Sequence, residues 1–301
     1  MRNHSELTLL PLLALPLALA ACEPVEVNND NADNAATADA SENAALNAVL
    51  AADLRADDKA RDQFRHPAET LAFFQVDADD TVIEYAPGGG WYTRILAPYV
   101  SENGSYVAVS FAPEAAESLG EDFMARVREG GETFSAKQSE SLGIEAEKLP
   151  FHFGNAIPAD LNGQVDRVLI FRMMHNLIRW GIADGEIEAL KATLKPDGMI
   201  GIVQHRAKAD APDDYVDGNR GYLKQTDLVA FMEKHGFELA AESEVNANPN
   251  DTADYPNGVW TLPPSYAEGE ETKDKYDAIG ESDRMTLLFK LADAGGESTE
   301  S

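Results

Sequence analysis

The sequence predicts an α/β fold, a mostly parallel seven-stranded sheet with helices on both faces. Two observations lead there. In Thr81 to Val100, TVIEYAPGGGWYTRILAPYV, a short apolar run with β-branched residues is broken by Pro87-Gly88-Gly89-Gly90, and Trp91 to Ala97 can then carry a helix. That apolar run has the composition of a strand buried on both faces. Downstream, further apolar runs of strand length are interleaved with helical patterns, the alternation from which parallel sheets are built.

A strand, a glycine loop and a helix N-terminus together offer backbone N–H groups to a ligand without obstruction from Cβ atoms. Three successive glycines are a poor choice for stability alone, since each loses more backbone freedom on folding than any other residue. A tight turn that holds no ligand is the alternative. The dinucleotide pattern G-x-G-x-x-G is not met, because Thr93 stands where the helix-packing glycine belongs.

The stretch instead resembles motif I of class I S-adenosyl-L-methionine-dependent methyltransferases, an acidic residue followed by alternating glycines. Glu84, Ala86, Gly88 and Gly90 occupy those places, with Ala86 standing for the usual first glycine. RHPAETLAFF, GGGWYTRILAPY, FRMMHN, NANPNDTADYPNGVW and IGESDRMTL resemble, in this order, a family of predicted methyltransferases, some of which carry signal peptides. The resemblance covers roughly Arg61 to Leu291 and implies a Rossmann-like class I methyltransferase fold. It also implies S-adenosyl-L-methionine as cofactor, bound at Glu84, Ala86, Gly88, Gly89 and Gly90, with Glu84 holding its ammonium group.

The chain starts with MRNHSELTLLPLLALPLALAAC. Arg2 precedes an apolar run, Leu7 to Ala21, that is too short to span a bilayer and reads as a secretory signal over residues 1–21. Its end, Leu19-Ala20-Ala21-Cys22, resembles a bacterial lipobox, which implies a lipid on Cys22, the chain's only cysteine. The expected location is therefore the bacterial cell envelope, facing the periplasm, with the membrane as a partner through that anchor. Residues 22–44 are rich in Asn, Asp and Ala and lack aromatics, so they read as a disordered tether.

Residues 45–292 form the expected methyltransferase-like domain. Ala45 to Phe74 reads as a helical cap with a second start at Pro67, a residue suited to the first turn of a helix. Gly104 to Ser110 is the second strand. The resemblance places an acid at its end to hold both ribose hydroxyls; here Ser110 stands there, without the charge of a carboxylate. Glu117 to Lys148 is expected to contain a helix, then a loop around Gly130-Gly131. Leu149 to Phe153 is the third strand, and Asn155 beyond it falls where the resemblance implies a contact near the adenine; the alternative is a plain turn residue.

Val165 to Phe171 is the fourth strand, and Arg172 to Asn176 leave its carboxyl end, where open α/β sheets bind ligands. Arg172 is assigned to the cofactor side, although it or Arg206 can hold an anionic substrate group. His175 is the candidate base, its ordinary pKa suiting proton removal near neutrality, and Asn176 can orient the acceptor; the alternative is that His175 hydrogen-bonds the loop and only shapes the pocket. A helix over Ile182 to Leu194 stops at Lys195-Pro196-Asp197-Gly198. The fifth strand, Met199 to Gln204, then delivers His205 and Arg206 to the same edge as candidate substrate contacts. Thr226 to His235 is a helix, Phe237 to Val245 the sixth strand and Arg284 to Leu291 the seventh. Between the last two, residues 246–280 read as a lid or substrate wall containing Trp260, and residues 293–301 as a solvated tail.

The formal net charge is −29, from 53 acids against 24 bases. So acidic a chain does not hold polyanions by counterion release, which argues against nucleic acid as partner or substrate. The six histidines show no metal-ligand spacing, and no metal is expected. The function these features predict is methyl transfer to a small molecule by an exported lipoprotein. The alternative is a catalytically inactive lipoprotein that keeps the fold for binding.

Overall fold

The computed structural model describes residues 44–293. The signal, Cys22, the tether up to residue 43 and the last eight residues of the tail lie outside them.

Residues 44–51 form helix α1. Helices α2 (Asp62–Arg65) and α3 (Pro67–Phe73) follow, with Pro67 in the first turn of α3, where a missing N–H leaves no bond unmade. The strands are β1 (Thr81–Tyr85), β2 (Ser105–Ser110), β3 (Phe151–Phe153), β4 (Val165–Phe171), β5 (Leu194–His205), β6 (Phe237–Ser243) and β7 (Arg284–Leu291). They form one seven-stranded sheet in the order β3-β2-β1-β4-β5-β7-β6, in which β7 alone runs against its neighbours. Helices α4 (Thr93–Val100), α5 (Glu121–Leu142), α6 (Met174–Arg179), α7 (Ala183–Thr193), α8 (Gln225–Lys234) and α9 (Lys273–Asp277) fill the connections.

Alternate residues of the central strands enter two separate cores, as the period-2 pleat demands. Ile83, Tyr85, Val168 and Ile170 pack with α6, α7 and α8 on one face. Val82, Leu169 and Phe171 pack with α3 and α4 on the other. The sheet is thus covered on both faces, which accounts for the near-continuous apolar runs of β1 and β4.

Several element limits differ from expectation. Helix α5 runs unbroken through Gly130-Gly131, where the sequence predicts a loop. A Cβ on Gly131 would lie 2.5 Å from the Phe151 ring and 2.6 Å from that of Phe153, so glycine here seats the helix on the aromatic β3. Strand β5 begins at Leu194, which pairs with Val165, and takes in the predicted turn at 195–198 across a register shift. Strand β3 starts at Phe151 rather than Leu149, and β6 ends at Ser243 rather than Val245.

The segment 246–280 is anchored. Buried Asp251 accepts hydrogen bonds from the Tyr222 hydroxyl at 3.0 Å and from the N–H groups of Ala253 and Asp283, each at 2.8 Å. Asn248 donates to the carbonyls of Ile279 and Glu281 at 2.8 and 2.7 Å. These bonds tie the start of the segment to Tyr222 and to the residues that lead into β7.

Candidate active site

Strand β1 has β2 and β3 on one side and β4 and β5 on the other, so the connections diverge between the carboxyl ends of β1 and β4. Such a switch point opens a crevice in a parallel sheet. On the β2 side lies a cleft of about 330 Å³. Its walls include Ala86, Pro87 and Gly88 after β1, Ser110 and Phe111 at the end of β2, Met173 and Asn176 after β4, and one face of α5. Gly88 and Gly89 are exposed, and a Cβ on Gly89 would meet nothing within 4 Å. Gly90 is covered, since a Cβ there would lie 3.2 Å from both Arg94 Nη1 and Gln138 Nε2. The loop therefore offers free backbone at its first two glycines and uses the third to enter α4.

Asn176 donates from Nδ2 to Met173 Sδ at 3.4 Å, while its buried Oδ1 has no partner. The half-buried Ser110, the open backbone of Gly88 and the Asn176 residue thus line one cleft. Glu84 does not reach it. Its carboxylate accepts hydrogen bonds from Thr93 Oγ1 at 2.7 Å and Tyr106 OH at 2.6 Å within the core, and burial raises its pKa to about 7. The expected contact with a cofactor ammonium is corrected accordingly. Asn155 is likewise outside the cleft, exposed on a short 3₁₀ turn that follows β3.

His175 lies at the start of α6, 4% exposed, with Nδ1 within 3.4 Å of the Gln204 amide. Burial pulls its pKa down to about 4, so it is neutral at physiological pH and a weak proton acceptor there. This corrects the expectation of a base poised near neutrality, which assumed solvent around the ring. The His205 ring lies 5.7 Å from that of His175 and bonds Ser282 Oγ at 2.6 Å; burial holds it neutral too. Trp260 stands edge-on to His175 at 6.0 Å, with the Arg179 guanidinium over its face. Arg206, expected to be free for substrate, is taken up by Glu244 at 2.6 Å and Asp283 at 3.0 Å.

Four residues absent from the sequence reading complete this edge. Arg61, Arg65 and Arg284 converge on the carboxylate of Glu281, which they hold down at about 2 against the effect of its burial. All four lie in or beside stretches that carry the family resemblance, RHPAETLAFF and IGESDRMTL. Their presence there is the signal by which they could have been found.

No family model matches the chain, and no curated protein matches it either. Solved structures do. A SAM-dependent methyltransferase from Aquifex aeolicus is 16% identical, with 79% of this chain and 96% of that one covered and a TM-score of 0.50. The 4+2 cyclase SpnF is 13% identical over 76% and 80% of the two chains, with a TM-score of 0.47. The mitomycin 7-O-methyltransferase MmcR is 13% identical, with a TM-score of 0.43; the alignment covers 74% of this chain and 52%, about half, of that one. The fold is therefore the Rossmann-like fold of class I methyltransferases, a conclusion that rests on the first likeness and on the strand order.

Proposed function

We propose that the chain is an S-adenosyl-L-methionine-dependent methyltransferase acting on a small molecule, held at the bacterial cell envelope through a lipid on Cys22. The observation that carries this reading is the open glycine loop at the switch point, where Gly88 lines a mostly apolar cleft and Gly89, next in the chain, has open space around its backbone. Gly88 and Gly89 receive the amino-acid end of the cofactor, Ser110 one ribose hydroxyl, and Asn176 Oδ1 a donor of the cofactor or the acceptor. The cofactor supplies a methyl group on a sulfonium sulfur.

The chain's own work is then alignment and exclusion of water, which Phe111, Met173 and Trp180 perform in the cleft wall. Among the described residues none that lines the cleft is titratable.

Calorimetric titration of the purified chain from Cys22 onward with adenosylmethionine and adenosylhomocysteine tests the reading. Saturable binding of both is expected, and the absence of any response at millimolar ligand sinks it. Ser110, where a carboxylate is expected, favours one second reading, a binding lipoprotein without turnover. That reading predicts cofactor affinity with no methyl transfer to any acceptor.

A further inference from the structure

Across the switch point from the cleft, over β4, β5 and β7, the chain buries an unbalanced group of arginines. Glu281, 5% exposed, accepts from Arg61 Nε at 2.6 Å, Arg65 Nε at 3.2 Å and Arg284 Nη2. Arg284 also donates to the carbonyl of Phe64 at 3.1 Å. Arg65 is 3% exposed, and its Nη1 has no partner. Arg172 leaves β4 into the same group, half-buried, and no described residue accepts a hydrogen bond from its guanidinium. The rings of His175 and His205 face these arginines and are held neutral by burial, with the guanidiniums adding to the effect.

Four guanidiniums gather around one ion-paired carboxylate, that of Glu281, while Glu84 acts on Arg172 only at a distance and gives its oxygens to Thr93 and Tyr106, in a chain whose net charge is −29. With 53 acids in the sequence, the lack of a second ion-paired carboxylate here is not a matter of supply. Buried charges are retained when they are paired, and an unpaired one is costly. Burial and the neighbouring Arg172 push the Arg65 guanidinium down to about 8. Burial and Arg284 push Arg172 down to about 10. An oxyanion set between Arg65 and Arg172 removes that imbalance, and the planar guanidinium fork matches carboxylate and phosphate oxygens.

We infer that this arginine group is the acceptor site, and that the acceptor is a small molecule bearing a carboxylate or phosphate group received by Arg172 and Arg65. The acceptor role rests on the methyltransferase reading; the anion site does not.

Thermal unfolding of the purified chain in inorganic phosphate or malonate, against chloride at equal ionic strength, tests the site. A saturable rise in Tm with either anion is expected. Arg172→Met is expected to unfold at a higher temperature than wild type in chloride, because a repelling charge is gone. It should also weaken the anion response at least tenfold. Arg128→Met, on the exposed side of α5, should keep the wild-type response. Arg172→Gln serves if the methionine variant does not fold.

No anion response beyond chloride in the wild type overturns the inference, and so does an Arg172→Met variant that responds like wild type. If Arg172→Met loses adenosylhomocysteine affinity by the same factor as phosphate affinity, the group belongs to the cofactor and the acceptor role falls. An anion response in a chain that binds no adenosylhomocysteine also ends the acceptor role, and then it is the methyltransferase reading that has failed.

Discussion

Ala86 and Arg172 leave adjacent parallel strands in the same left-handed conformation, at φ 53° and 55°. The ladder between β1 and β4 stops at Tyr85 and Ile170. Ala86, one residue beyond Tyr85, and Arg172, two beyond Ile170, bond outward, Ala86 N–H to Val109 O at 2.7 Å and Arg172 N–H to Val203 O at 2.6 Å. The sheet is thus parted at its switch point by two non-glycine residues, each carrying roughly 1–2 kcal/mol of backbone strain. Ala86→Gly should therefore raise stability by up to about 1 kcal/mol, the strain relieved less the added chain entropy. A denaturation midpoint below that of wild type contradicts this.

Glu84 sets a pH dependence of one sign. Its pKa rises from an ordinary 4.5 to about 7 on folding, chiefly through burial. Between those values the folded chain binds the proton that the unfolded chain has released, so stability falls as pH rises through that window. The loss amounts to roughly 3 kcal/mol and is complete above the folded value. Glu84→Gln keeps an oxygen to accept from Thr93 and Tyr106 and should flatten the decline. Equal Tm losses in variant and wild type between pH 5 and pH 8 would show that Glu84 ionises without penalty.

His175 sets a dependence of the opposite sign. Folding lowers its pKa from 6.5 to about 4, again chiefly through burial. Its contribution of roughly 3 kcal/mol is present above 6.5 and lost as pH falls toward 4, where the unfolded chain takes up the proton first. His175→Gln should lessen that acid sensitivity. It should leave any pH–rate profile for methyl transfer unchanged in shape from pH 5 to 8. A limb near pH 6.5 that the variant abolishes would restore the catalytic role.

Gly131→Ala sets two effects against each other. Alanine favours a helix interior by about 1 kcal/mol over glycine. The new Cβ, however, meets the Phe151 and Phe153 rings at 2.5 and 2.6 Å. Overpacking of this kind costs about 1–3 kcal/mol and should win, leaving the variant less stable in urea titration. Gly130→Ala, with open space around its Cβ, should be as stable as wild type or more so. A stabilised Gly131→Ala would mean that α5 does not rest on β3.

Gly88→Val should abolish adenosylhomocysteine binding. The left-handed φ of 57° at this exposed loop position makes it cost roughly 1–2 kcal/mol in stability without loss of the fold. Ser110→Asp should raise the same affinity by supplying a charged acceptor for the ribose hydroxyls. Calorimetry on both variants decides, and undiminished binding by Gly88→Val would move the cofactor away from this loop.

Local chemistry wrote much of the fold into the chain. Val165–Phe171 and Arg284–Leu291 are strands at the limits their apolar runs predict, because turn residues bound those runs. Gly88, Ser110 and Asn176 come together because each follows or ends a strand, and the α/β alternation brings those strand ends to one edge. What failed to show in the linear sequence depends on partners far along the chain. Arg206 looks free until Asp283, 77 residues on, binds it, and Glu281 meets Arg61 across 220 residues. The glycine pair within α5 reads as a break because the rings of β3 that require a glycine there are a separate run of sequence. The acidity of Glu84 and the basicity of His175 follow from how much water each loses, a quantity that exists only once both cores have closed over them.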